Sequence, residues 1–476
     1  MIVRVYRCFL SLCAALLCPV QAAQKVQHQA EVPLSFTSKA PLHQKLYDKK
    51  PAFYAYILGD VGGKGTDCHH APQAYISPAS CQKIITALLA FRILGPHYRY
   101  KTKLLVSKKG GHIHRARICF SGDPLLTSVQ LETLLKPLEK KHIHGGIILD
   151  CSGFQTPEYS NDWMIADQGS RYSGPVSGGN IDHNWIEVRI KQNPKKTGVV
   201  VTNTVNFPMV KRVSISHKPT KITLRWLKNS LDVSGNLNDA VPEKTDRISP
   251  PMVKSYLLEK VRQVTKKLGI SGPIQYSTQP EQKDTRERLV AEVYSKTLRE
   301  FLPPAFKKSD NLVFDALYLT LVHQADPTGV IVQWSQGDAC IKSLLKKYFD
   351  LDMTGALFVD GSGLSRYNRI QPAQLWAVLK AGFGVPDFTR AFAYPGEEES
   401  TLLKRTTLSP DFRAKTGHLL GVAALSGYVQ NEANRHKKSG VKAFVFVANG
   451  YACSREEIQN IMDDFLNVQL GAKINT

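Results

Sequence analysis

The chain has 476 residues, with 62 Lys and Arg against 40 Asp and Glu, for a formal net charge of +22. That length exceeds one ordinary domain and predicts two or three. So large a basic excess favours an anionic partner, and the lack of any nucleic-acid-binding motif argues against nucleic acid.

Residues 1–23 read as an export signal: Arg4 and Arg7, an apolar stretch from Cys8 to Val20, then small residues around Gln21-Ala22-Ala23. The stretch falls short of a membrane span of roughly 20 residues. Leu17 is bulky where lipid attachment at Cys18 would want a small neighbour. A periplasmic protein, soluble or peripherally attached, is therefore expected. In that setting the basic excess points to phospholipid head groups or an anionic cell-wall polymer. Six cysteines lie beyond the signal, Cys68, Cys81, Cys119, Cys151, Cys340 and Cys453. Spacing cannot choose among their pairings; Cys119 with Cys151 is favoured because both end strand-like runs. Cys81 reads as a small packing residue.

Residues 24–50 are polar and mixed, a lead-in helix and strand. Ala52 to Leu58 is a predicted strand and Gly59 to Gly65 a turn. That turn is no phosphate cradle, since Lys64 is followed by Gly65 rather than Ser or Thr. A helix opens near Ser80, carries Ile84, Ile85, Leu88, Leu89 and Phe91, and stops at Gly95-Pro96. Its broad apolar surface places it at a domain centre, with its N-terminal end facing a cleft. From about residue 99 to 286 the texture changes to short strands, turns and lysine pairs. Helices are predicted there near Leu131 to Lys140 and over Val253 to Leu268, and a strand over Gly145 to Asp150. This stretch reads as β-rich modules inserted into a parent domain. Leu312 to His323 predicts a second central helix, Asp360-Gly361-Ser362-Gly363 a tight turn, and Ala423–Val429 with Val441–Val447 a hairpin. Strands at the end, helices in the middle and no βαβ rhythm predict the α+β class.

Three scattered groups carry chemistry. Ser80 precedes Lys83 by three residues, so both share a helical face. A serine is a weak nucleophile until a neighbouring base takes its proton. Ser309-Asp310-Asn311 leads into the second central helix, and Lys415-Thr416-Gly417 precedes an alternating strand. Each spacing alone is weak evidence: Ser343/Lys346, Ser439/Lys442, Ser234/Asn236 and Lys196-Thr197-Gly198 repeat them by chance. Order and setting separate the chosen three.

Together with Gly122-Asp123-Pro124 and the turn from Asp360 to Arg366, these groups resemble the class C low-molecular-mass penicillin-binding proteins of the penicillin-binding protein four type, D-alanyl-D-alanine carboxypeptidases and endopeptidases. Cys81, where a threonine is common, is the one departure. The resemblance implies a serine transpeptidase/β-lactamase-like catalytic domain: a five-stranded antiparallel sheet flanked by helices, with two modules inserted between the first and second motifs. The implied division is 24–98 with 287–476 for the catalytic domain, 99–187 with 244–286 for the first module, and 188–243 nested within it. It also implies roles. Ser80 attacks the carbonyl of the penultimate D-alanine of a peptidoglycan stem peptide, and β-lactams acylate it. Lys83 accepts the proton, its pKa lowered by burial and by positive charge from Lys415. Ser309 and Asn311 relay the proton and hold the peptide amide. Lys415 and Thr416 of the Lys415-Thr416-Gly417 motif bind the terminal carboxylate, and the N–H groups of Ser80 and His418 form the oxyanion hole. Asp167, within Trp163-Met164-Ile165-Ala166-Asp167, reaches the active-site lysine or a cationic substrate side chain. No cofactor or metal is needed.

Competing readings exist. A serine β-lactamase shares the Ser-Lys chemistry, but the Glu-x-x-Leu-Asn pattern that speeds deacylation is missing from the expected place. A cell-wall scaffold with a vestigial site is the other. His112 with His114 and His142 with His144 are His-x-His pairs that read as surface histidines, and Cys68-His69-His70 reads as loop rather than metal site. Ser362 lacks the Gly-x-Ser-x-Gly setting of a hydrolase elbow.

Overall fold

The computed structural model of the chain describes Leu46 and residues 50–63, 65–154, 156–193, 198–228, 230–279, 284–325, 334, 336–430 and 440–469. The predicted export signal and nearly all of the lead-in segment lie outside these residues. So do Lys64, Lys196, Thr197 and Ser439.

Strand β1 (Phe53–Asp60) is rich in aromatic and aliphatic residues, and β2 (Cys68–His70) pairs with it. The chain then makes a 3-10 turn, Ala79–Gln82, an α-helix, Lys83–Leu89, and a π-turn, Ala90–Leu94, ended by Gly95 at φ +81. All seven residues of the Lys83–Leu89 helix are buried. The long middle stretch supplies β3 (Lys101–Lys109), β4 (His112–Cys119), β5 (Ile147–Asp150), β6 (Ile186–Gln192), β7 (Val199–Asn203), β8 (Met209–Ser216), β9 (Lys221–Leu227), β10 (Ser230–Asn238), β11 (Glu243–Ile248), β12 (Ile274–Ser277) and β13 (Arg288–Tyr294). Helices Leu298–Lys308, Asn311–Ala325, Gln336–Phe349 and Pro372–Gly382 follow. The chain closes on β14 (Phe412–Leu419), β15 (Val422–Gln430), β16 (Val441–Asn449) and the helix Arg455–Gln469.

The central sheet has the order β14-β15-β16-β1-β2, every pair antiparallel. Its side chains alternate between faces. Ala55, Ile57, Val445 and Val447 enter a core shared with the Lys83, Asn311 and Pro372 helices. Tyr54, Tyr56, Leu58, Phe444 and Phe446 enter a second core with the C-terminal helix. Because both faces are covered, β15 is buried along nearly its whole length. Phe412 and Ala414 of β14 face the second core, which turns Lys415 to the opposite face. The predicted lysine motif thus lies inside an edge strand rather than ahead of one.

Strands β3 to β13 build three other sheets: five-stranded β12-β5-β4-β3-β13, three-stranded β11-β6-β7 and three-stranded β8-β10-β9. They share a separate core with helices Ser128–Leu135 and Val253–Lys267. The favoured pairing of Cys119 with Cys151 is not made, and both carry free thiols. The register explains why. β4 and β5 run parallel with Cys119 opposite Asp150, so Cys151 falls one step further and points to the other face, where it is buried with Phe120.

Candidate active site

Ser80 sits in the 3-10 turn, with Lys83 opening the α-helix behind it. The residue before the serine, Ala79, is fully buried in the left-handed region at φ +45. Such backbone strain persists only where the surroundings enforce it. Two glycines let those surroundings come close. A Cβ on Gly363, at φ +80, would collide with the Ala79 carbonyl, and one on Gly417 would stand 2.6 Å from the Pro78 oxygen. The motif glycine of β14 therefore allows that strand to lie against the serine turn.

Lys83 Nζ is fully enclosed and lies 3.0 Å from Ser80 Oγ. It also donates to Asn311 Oδ1 and to the Ser362 carbonyl, each at 2.6 Å. A neutral amine has two N–H groups and one lone pair. Two of its three neighbours can only accept, and the third is a hydroxyl that can donate. The cage therefore satisfies a neutral Lys83 that takes a hydrogen bond from Ser80, and equally satisfies the ammonium once the hydroxyl turns. Burial pushes the Lys83 pKa down to about 8, against the upward pull of Asp315 and Asp360. Repulsion from Lys415, expected to depress Lys83, is not among the causes; the charged groups that act on it are mainly carboxylates.

The repulsion acts the other way: burial first, then Lys83, pushes Lys415 down to about 7. Lys415 Nζ donates to Ser309 Oγ at 3.0 Å and to the Thr416 carbonyl at 2.7 Å. Ser309 caps the preceding helix with φ +60, which turns the chain so that Asn311 can start the next. Thr416 Oγ1 donates to Thr401 Oγ1 at 2.7 Å. Cys81, a packing residue as expected, donates its Sγ to the Lys415 carbonyl at 3.2 Å, and burial pushes its thiol up to about 11. His418, one register step beyond Gly417, has its Nδ1 3.2 Å from the Tyr451 hydroxyl.

Ser80, Lys83, Ser309, Asn311 and Lys415 are thus brought into one connected cluster. Asp167 is not part of it. It ends an exposed 3-10 turn, and its carboxylate accepts from the Tyr172 hydroxyl at 2.7 Å. No lysine bonds to it among the described residues. Tyr172 nonetheless links the two regions, since its carbonyl accepts from Asn311 Nδ2 at 2.7 Å. Beside that contact a cavity of about 380 Å³ is lined by Arg171, Tyr172, His183, Lys308, Ser309 and Asn311, among others. His183 Nε2 lies 2.8 Å from Asp310 Oδ2.

Several participants were not singled out from sequence. The Ser362 carbonyl has no side-chain signature at all. Asp315 does: a lone carboxylate inside an apolar helix, one turn after Asn311, is a detectable anomaly. It accepts from the Gly361 N–H at 3.0 Å, and burial together with Asp360 holds it well above the usual carboxylate range. Asp360 gathers four donors, the N–H groups of Gly363 and Ser365, Asn368 Nδ2 and Trp163 Nε1, at 2.7 to 3.0 Å. Trp163 comes from the middle stretch, so one buried carboxylate ties that stretch to the turn that holds Lys83.

A family model described as the D-Ala-D-Ala carboxypeptidase 3 (S13) family matches residues 45–469. The D-alanyl-D-alanine carboxypeptidase DacB of Haemophilus influenzae is 28% identical over 401 residues, which is 79% of this chain and 81% of that protein. The crystal structure of penicillin-binding protein 4 (dacB) from Haemophilus influenzae superposes with a TM-score of 0.75 at 24% identity, covering 90% of this chain and 99% of that one. Its complex with a β-lactam gives a TM-score of 0.71 over 89% and 98%.

Proposed function

The chain belongs to the D-Ala-D-Ala carboxypeptidase 3 (S13) family, serine-type carboxypeptidases acting on peptidoglycan, and from that premise we propose how its own residues divide the reaction. Ser80 Oγ attacks the carbonyl of the penultimate D-alanine while its proton passes to neutral Lys83. The tetrahedral oxyanion is held by the N–H groups of Ser80 and His418, contacts of a kind worth roughly 3 kcal/mol per donor. Collapse breaks the C–N bond, Ser309 relays the proton held by Lys83 to the departing D-alanine amine, and water resolves the acyl-enzyme. Asn311 holds the peptide amide. Lys415 and Thr416 receive the terminal carboxylate, and Gly417 keeps their strand close to the serine turn. The observation that carries this reading is the Lys83 cage, two obligate acceptors and one hydroxyl around a desolvated amine.

β-lactams take the same route and acylate Ser80, in line with the β-lactam complex of the Haemophilus protein. The mixed-charge cavity beside Asn311, with Asp167 behind Tyr172, supports recognition of a charged stem-peptide side chain. Endopeptidase cleavage of cross-links is part of the same proposal, as are a periplasmic location, peripheral contact with a membrane or anionic polymer, and the division of the chain into a catalytic domain and two inserted modules. Among the described residues no helix is long and apolar enough to cross a membrane.

The test is D-alanine release from a pentapeptide and intact-mass measurement after penicillin. Wild type should release D-alanine and hold a long-lived adduct, with Ser80→Ala doing neither. Turnover of penicillin within seconds would favour a β-lactamase, and no release under varied conditions would favour a scaffold. Fragments released from isolated peptidoglycan separate carboxypeptidase from endopeptidase action.

A further inference from the structure

The two His-x-His pairs acquire a setting in the fold that their spacing did not reveal. The β3–β4 hairpin turns between Lys109 and His112, and the segment from Lys140 to His144 lies beside it, held by backbone bonds between Ile143 and Ser271 and between Gly145 and His114. The rings of His142 and His144 come within 4.7 Å, and those of His112 and His144 within 6.0 Å. Between them opens a cleft of about 480 Å³, lined by Lys108, His112, Lys140, Lys141, His142 and His144 together with apolar residues such as Ile113 and Leu138, with Val290 at its margin. No acidic side chain is among the described residues lining it. Glu139, beside Lys140 in sequence, is engaged by Lys136 at 2.9 Å. His142 Nδ1 lies 2.8 Å from Ser271 Oγ, which fixes its ring.

A metal is a poor fit. Three lysines repel a cation, and among the described residues no group of three or more His, Cys, Asp or Glu is placed to hold one. Lysine and histidine side chains lining one concave space supply donors that suit an anion with several acceptor oxygens. The margin adds a second feature. β13 shifts register between Leu289 and Ala291, which throws Val290 out of the ladder beside the cleft. Val290 is 44% exposed and Leu289 53%.

We propose that this cleft seats a phosphate-bearing anion, with the aliphatic margin favouring an anionic lipid headgroup as its source. The site is separate from the catalytic cluster. It gives a location to the anionic contact proposed from net charge and rests on that reading.

The experiment compares purified wild type with Lys108→Ala/Lys140→Ala/Lys141→Ala, and with a charge-matched control, Lys211→Ala/Lys221→Ala/Lys244→Ala, whose lysines are also exposed. Binding is measured to phosphatidylcholine vesicles with and without phosphatidylglycerol, and to inorganic pyrophosphate, with D-alanine release as the folding control. The expected result is vesicle binding that needs phosphatidylglycerol and falls about tenfold or more in the cleft variant, is weakened far less in the control, and is displaced by pyrophosphate, with D-alanine release unchanged. Pyrophosphate binding lost in the cleft variant without any vesicle binding would keep the site and assign it a soluble phosphate ester. Equal loss in both triple variants would overturn the cleft while sparing the general charge reading. No binding to either probe by wild type would overturn both.

Discussion

Two groups of lysines among the described residues differ in burial, and burial gives them opposite uses. At the centre, Lys83 and Lys415 are enclosed by protein, and loss of solvent drives both toward the neutral amine. At the β3–β4 hairpin and the 140–144 segment beside it, Lys108, Lys140 and Lys141 are exposed. The same side chain is proposed as a base where it is enclosed and as an anion contact where it is exposed. Position relative to solvent, rather than residue type, decides which.

The sharpest ways to break this comparison act on the enclosed pair. Ser80→Ala removes the proposed nucleophile and should lower D-alanine release by roughly 10³-fold or more, with the penicillin adduct absent from the mass spectrum. Lys83→Met should cost on the order of 10²- to 10⁴-fold in acylation rate. It should also erase a pH dependence: in wild type the base form of Lys83 exists above about pH 8, so acylation should rise as pH climbs through that value and fall below it. A wild-type profile flat from pH 6 to 10 would remove Lys83 as the base.

Trp163→Phe keeps an aromatic side chain, though a smaller one, and deletes the bond to the Asp360 carboxylate; it should cost at least about 1.5–3 kcal/mol of stability, read by denaturant unfolding. A slower acylation rate in the folded variant is also expected, because the Ser362 carbonyl is held by the same turn. The smallest effect is a proton count. With a pKa of about 7, Lys415 is mostly neutral at pH 8, and a bound carboxylate favours its charged form. Binding of a carboxylate-bearing β-lactam to Ser80→Ala should therefore take up close to one proton at pH 8 and almost none at pH 5.5. Calorimetry in buffers of different ionisation enthalpy measures this, and an equal uptake at both pH values would contradict it.

Much of this arrangement was readable from residue order alone. The broad apolar surface of the helix after Ser80 placed it at a domain centre, where it is buried, and the two C-terminal apolar runs predicted adjacent strands; β15 and β16 pair along their whole length. What stayed hidden depends on distant chain segments meeting. The Ser362 carbonyl is a backbone group, invisible to any residue pattern. The Cys119–Cys151 expectation failed because strand direction and register set which face a side chain takes, and neither is written in local spacing. The histidine pairs read as separate surface residues because their common cleft needs the hairpin and the 140–144 segment side by side.

The indole of Trp163 reaching Asp360 has a practical corollary. Anyone trimming this protein by excising the residues between the first two motifs would cut the mooring of the turn whose Ser362 carbonyl holds Lys83. The shortened version would then be expected to fold with a slack Asp360 turn and a loosened Lys83 cage, because the Trp163 bond to Asp360 would be gone.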